Sequence, residues 1–194
     1  MSLNLSSPLS QDEMVEIVDE KNVPTGTPQT RALMRRDRSI HRATYAFVKD
    51  SDNYFYVQKR SLLKDYCPGF FDPTPGGVVA AGESYEVTNK REVEEEMGIP
   101  QTVPSSRLFT LYYEDERIRC FGDAWELTYD GPLRLQHSEV QSVHKMTMRE
   151  IIAGFESGVE PFTPDSLAFC YEYVKRFGYP PEPVGPPEPP VLLD

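Results

Sequence analysis

Hydrophobic and polar positions along the 194 residues follow two periods, and the changes between them mark out the elements. Alternation of period two predicts strands over Met14 to Val18, Ala43 to Lys49, Tyr54 to Lys59, Leu108 to Tyr113, Ile118 to Tyr129 and Gln141 to Met146, the last at a sheet edge. Turns are expected at Asn22 to Thr27, at Asp50-Ser51-Asp52-Asn53 and at the acidic Glu114-Asp115-Glu116. Helical spacing covers Arg31 to Arg38 as a short basic helix, residues 84 to 97, Met148 to Glu156, and Thr163 to Phe177 behind Thr163-Pro164-Asp165. A loop rich in Pro and Gly, Cys67 to Gly77, leads into the helix at 84. Strands and helices mingle without a regular βαβ repeat, so the expected class is α/β (α+β), a mixed sheet flanked by helices.

The ends behave differently from the middle. Residues 1 to 12 are Ser, Asn and Gln with little to bury and are expected to be disordered. Residues 13 to 178 form the domain. Residues 179 to 194 hold seven prolines, a density that denies a packed element, so a disordered, extended tail is expected there.

Composition narrows the function classes. A net charge of −11 argues against an extended nucleic-acid surface, which needs basic groups to displace counterions. Cys67, Cys120 and Cys170 are odd in number and follow no metal-ligand spacing, as expected of reduced thiols in a cytoplasmic setting. No apolar run approaches a membrane span, and the N-terminus lacks the basic and apolar segments of a secretion signal.

The chemistry concentrates between Gly77 and Ile99. Taking about 100° per residue, Glu95 lies roughly 300° and Glu96 roughly 40° around the helix from Glu92, so the three share one face while Glu94 points away. Val93 and Met97 flank that face as anchors to a core, and Gly98 stands where a left-handed residue ends a helix. Like charges three and four residues apart destabilise a helix, and such a conflict marks function. Hard carboxylate oxygens suit Mg²⁺ or Mn²⁺. The bland reading is a solvated acidic helix.

Gly77, Glu83, Arg91, Glu92, Val93, Glu95, Glu96, Gly98 and Ile99 match every fixed position of the Nudix box, and Pro75-Gly76 resembles the Pro-Gly-Gly that often precedes it. The resemblance implies the Nudix α/β/α sandwich and a Mg²⁺- or Mn²⁺-dependent hydrolase of diphosphates joined to another moiety. It implies that Glu92, Glu95, Glu96 and the Gly77 carbonyl hold metal, with Arg91 paired to Glu83. The general base is Glu92 or Glu96, or else a carboxylate from a later loop, for which Glu139 is the candidate; an exposed loop glutamate is its other reading.

A wider likeness joins Val18-Asp19-Glu20, His41-Arg42-Ala43-Thr44-Tyr45, Gln58-Lys59-Arg60, Pro68-Gly69 and Phe162-Thr163-Pro164-Asp165-Ser166-Leu167. These are similar to a subgroup related to isopentenyl-diphosphate isomerases. That likeness implies that Arg60 and Lys64 bind the substrate diphosphate. It places Gly76 and Val78 where an isomerase carries its catalytic Cys and metal-binding His, which disfavours isomerisation. A non-catalytic nucleotide or diphosphate sensor is a further alternative, against which all the box carboxylates are present. His41 is expected as a satisfied core histidine, and Phe70, Phe71, Tyr112, Tyr113 and Trp125 as core rather than base-stacking groups. The expected partner is a small-molecule diphosphate, and the sequence leaves a homodimer open.

Overall fold

The computed structural model describes residues 11–193. Most of the N-terminal segment expected to be disordered, residues 1 to 10, lies outside the described residues. In chain order the elements are β1 (Met14–Val15), β2 (Gln29–Thr30), α1 (Arg31–Asp37), β3 (His41–Lys49), β4 (Phe55–Arg60), β5 (Phe71–Asp72), α2 (Tyr85–Met97), β6 (Ser105–Glu114), β7 (Arg119–Thr128), β8 (Val140–Met146), α3 (Met148–Ser157), α4 (Pro164–Phe177) and β9 (Val191–Leu192).

Alternation on the strands feeds two cores. On β3, Ala43, Tyr45 and Phe47 point to one face and Ala46 and Val48 to the other. The first face packs on Ile151 and Ile152 of α3 and on Leu167, Phe169 and Tyr173 of α4. The second packs on Val93 and Met97 of α2. Helices thus cover both faces of a sheet ordered β6-β7-β3-β4-β8-β9, with β5 hydrogen-bonded to β4. The β3–β7 pairing is parallel and the others antiparallel, which makes the expected α/β/α sandwich with a mixed sheet.

One departure from regular pairing positions the site. The hairpin at Asp50 to Asn53 holds β3 and β4 together through the single register pair Lys49↔Phe55, after which the strands diverge. The open side of β3 is taken instead by the glycine-rich loop: Thr44 donates to the Gly77 carbonyl, Ala46 to that of Pro75, and Val79 donates back to Arg42, each at 2.9 Å. The loop therefore stands in the mouth of a split sheet, against α2.

The proline-rich tail differs from expectation. Residues 179 to 193 follow a defined surface course in which Arg149 lies over the Tyr179 ring and pairs with Glu182. Tyr54 donates to the Gly185 carbonyl at 2.6 Å, Lys145 pairs with Glu188, and β9 adds to β8, so β8 is not an edge strand. Proline removes donors but leaves carbonyls and neighbouring acids able to accept. Those acceptors, with two proline-free apolar residues at β9, tie down a chain that builds no element of its own beyond that short strand.

Two outcomes test this packing. Phe47 is fully buried between Phe55 and Tyr173, so Phe47→Ala should cost about 3–5 kcal/mol in urea unfolding; a loss under about 1 kcal/mol would contradict the packing. His41 is buried, and burial, with the Arg35 charge adding to it, lowers its pKa from 6.5 to about 3. The unfolded chain therefore takes up this proton first, so stability falls as pH drops from about 6.5 and the effect ends near 3. In urea midpoints measured across that window, His41→Gln should show a shallower decline than the parent; an equal slope would show that His41 is not held neutral.

Candidate active site

Ser84 starts α2 by accepting the Val87 N–H at 3.3 Å, and Gly98 ends it at φ 71°. Between these caps, Val93 and Met97 seat the helix in the core and fix the rotation of its acidic face. The glutamates have unequal surroundings. Glu96 is only 1% exposed and accepts from Gln58 at 3.0 Å and from the Lys64 ammonium at 2.8 Å. Glu92 is largely buried against the loop, whereas the Glu95 side chain is half exposed. Glu94 is turned to the surface, where Gln101 donates to it.

Gly77 is the point of closest approach between loop and helix. A Cβ added there would collide with the Glu92 carboxylate, so only glycine lets the backbone stand against that group. Arg91 lies between loop and helix. Its Nε and Nη2 donate to the two Glu83 oxygens at 3.2 and 3.0 Å, and its Nη1 donates to Glu92 at 2.9 Å and Glu95 at 3.1 Å. Thr88 adds a hydroxyl donor to Glu83 at 2.6 Å.

The second cation is Lys64, buried between Glu96 and Glu139 and in contact with both. Glu139 is therefore no exposed loop glutamate. It sits in the turn before β8, buried, with its Oε1 lacking a hydrogen-bond partner. Burial disfavours the Lys64 ammonium, but Glu96, opposed by Arg60 and joined by Glu139, outweighs this and raises its pKa. Burial, with Glu96 adjacent, raises the Glu92 carboxyl against the opposing charge of Arg91. Burial likewise raises Glu139, against the pull of Lys64.

The acids thus stand as two cation-bridged groups, Glu83, Glu92 and Glu95 on Arg91 and Glu96 and Glu139 on Lys64. Among the described residues no three His, Cys, Asp or Glu side chains gather at metal-ligand spacing. The one-face triad drawn from the helical wheel is split in this way because each carboxylate turns to the nearest cation.

Beside the loop lies a polar cleft of about 60 Å³ lined by Arg31, Arg35, Arg60, Lys64, Gly76 and Gly77, among others. Arg60 belongs to its wall but is mostly engaged: Nη1 donates to Asp72 at 2.8 Å, and Nε and Nη2 donate to the Tyr66 carbonyl. Of five guanidinium N–H donors, three are committed, so Arg60 braces the wall more than it reaches into it. Gly76 supplies no side chain to the cleft, and Val78 is buried with Val15, Ile17 and Met34. Neither the thiol nor the metal-binding imidazole that the isomerase likeness would require is therefore present at those two positions.

His41 is buried, with Nδ1 3.2 Å from the Ser39 carbonyl. Phe70, Phe71 and Tyr113 pack on the first core and Trp125 is buried, while Tyr112 lies partly at the surface. Gln58 and Asp72 were not singled out as site residues. The signal for Gln58 was a polar residue two positions after Tyr56, on the strand face that meets α2. Asp72 pairs with Arg60 across a hairpin-like return that no local pattern announced.

Comparison with known proteins gives the family. Residues 39–166 match the NUDIX domain. An uncharacterized Nudix hydrolase of Yersinia pestis is 40% identical over 161 residues, covering 83% of this chain and 85% of that protein. The Nudix hydrolase YfcD of Escherichia coli K12 is 39% identical over 168 residues, covering 87% and 90%. A crystal structure of DR0079 from Deinococcus radiodurans shares the fold with a TM-score of 0.73 at 21% identity, covering 82% of this chain and 98% of that one. With the box residues set around a split sheet and relatives of this closeness, the chain belongs to the Nudix hydrolases, enzymes that cleave pyrophosphate bonds.

Proposed function

We propose that this chain hydrolyses a diphosphate linkage in a nucleoside diphosphate-linked or related organic diphosphate, with Mg²⁺ or Mn²⁺ as cofactor. The observation that supports this most is the burial of Glu96, Glu139 and Lys64 beside a loop whose backbone stands against the largely enclosed Glu92 carboxylate. The donors fit such a cation, being hard carboxylate oxygens, with Gly77 as a cradle that a Cβ would fill and Glu139 Oε1 unpartnered. Glu92, Glu95, Glu96 and the Gly77 carbonyl are the groups that would hold it. When bound, a divalent ion neutralises charge on phosphoryl oxygens and makes water more acidic.

The remaining roles follow from the side chains. Arg91 fixes the distance between loop and helix through Glu83, so that Glu92 and the Gly77 backbone face one site. Lys64 holds Glu96 and Glu139 together and brings a positive charge to the cleft where the diphosphate is expected. Glu139 is our choice for the base that takes the proton from attacking water, because its free oxygen lies beside this constellation. Glu92 and Glu96 are the alternatives. Arg60 acts by holding the cleft wall through Asp72 and Tyr66. The scaffold's likeness to isopentenyl-diphosphate isomerases is read as shared framework carrying hydrolytic chemistry.

Glu96→Gln leaves Lys64 paired with Glu139, so the protein should fold. Changing even outer partners of a metal site costs about 10–100-fold, so metal-dependent phosphate release should fall more than about 100-fold; retained turnover would remove the mechanism. Lys64→Met strands two buried acids, a loss worth about 3–5 kcal/mol. Its melting temperature in chelator should drop, and Mg²⁺ or Mn²⁺ should raise it more than in the parent. An identical metal-induced rise in both proteins would contradict the charge balance described here.

A further inference from the structure

Although the net charge is −11, arginines concentrate on a surface that borders the site. A cleft of about 580 Å³ beside α1 is lined by Arg31, Arg35, Arg36, Arg38 and Arg117, against two acids in the same wall, Asp65 and Glu116. It shares Arg31, Arg35, Tyr66 and Ile118 with the cleft that contains Gly77 and Lys64. Its volume lies within the range of small-molecule sites.

The protein's own acids do not exhaust these guanidinium groups. Arg31 pairs with Glu13, Arg36 with Asp37, and Arg38 with Glu114 and the Asp115 carbonyl. Asp65 stands 3.7 Å from both Arg31 and Arg35, a charge contact beyond hydrogen-bond reach. Among the described residues the Arg35 guanidinium makes no hydrogen bond, and lies instead over the Tyr66 ring. Among the described residues Arg117 pairs with no carboxylate, and it donates to the Cys67 sulfur at 3.6 Å. Several planar forks facing one cleft, with donors to spare, match the geometry of a phosphate.

We propose that this arginine-lined cleft is an anion subsite for a phosphomonoester carried on the substrate, away from the diphosphate that is cleaved. The inference rests on the hydrolase reading of the adjacent site and deepens it. The group attached to the diphosphate bears a further phosphate, and Arg35, which lines both clefts, stands at their junction. Phosphate oxygens accept from Arg35 and Arg117, while Asp65 keeps Arg31 and Arg35 side by side.

The test is binding of matched pairs that differ by one phosphomonoester, NAD⁺ with NADP⁺ and dephospho-coenzyme A with coenzyme A, by calorimetry with Mg²⁺. Charge-assisted hydrogen bonds predict that the phosphorylated member binds about 10-fold tighter. Inorganic phosphate should compete for that advantage, and Arg35→Gln with Arg117→Gln should bring the ratio close to one. Equal affinities within both pairs would overturn the subsite, whether or not either compound is hydrolysed. Phosphate binding without a preference within the pairs would mark a site for a free anion and equally overturn it. A retained preference without metal-dependent turnover of any diphosphate would strike the hydrolase reading alone.

Discussion

Everything in this site depends on balancing buried negative charge. Glu96 is enclosed between α2 and β4, and a carboxylate so placed is tolerable only when paired and hydrogen-bonded. Lys64 meets that need and in doing so draws in Glu139 from the turn before β8. Arg91 does the same on the outer side for Glu83, Glu92 and Glu95. Ion pairs therefore tie loop, helix and turn at this place, in addition to the apolar seating of α2 by Val93 and Met97. The order of magnitude favours function over stability as the reason: buried ion pairs are weak stabilisers compared with apolar residues of equal volume.

The backbone explains why the acids gather there. Where β3 and β4 part after Lys49↔Phe55, β3 is left with unpaired groups, and the Pro75 to Val79 segment satisfies them. That pairing brings Gly77 under α2, and the absent side chain lets Glu92 close onto the backbone. The same divergence leaves room for the polar cleft, whose outer continuation is the arginine surface of α1. One irregularity in the sheet thus positions the carboxylates, the loop and the basic approach to them.

Much of this was legible in the sequence, and the rest was not for physical reasons. The C-terminal end of α2 was announced by Gly98 in the left-handed region, whereas the Ser84 cap at its start is visible only in the structure. Glu83 and Arg91 were visible as a pair because both belong to one short motif. Lys64 was visible as a charge, but its role depends on Glu139, which is 75 residues further on and reaches it only through the β4–β8 pairing. Arg60 looked available because its partner, Asp72, lies on the β5 return, and its other acceptor is a backbone carbonyl with no sequence signature. The helical wheel set three glutamates on one face, yet could not show that two different cations divide them. The tail misled because proline density reports missing donors and says nothing of the carbonyls and glutamates that bind it to Tyr54, Lys145 and Arg149.

The most direct measurement is an anomalous difference map at the manganese absorption edge, from crystals equilibrated with Mn²⁺. The account predicts a peak between the Gly77 loop and the carboxylates of Glu92 and Glu96. A map with no peak there, or with manganese bound only at other surface acids, would contradict the claim that these buried charges are assembled to grip a divalent ion.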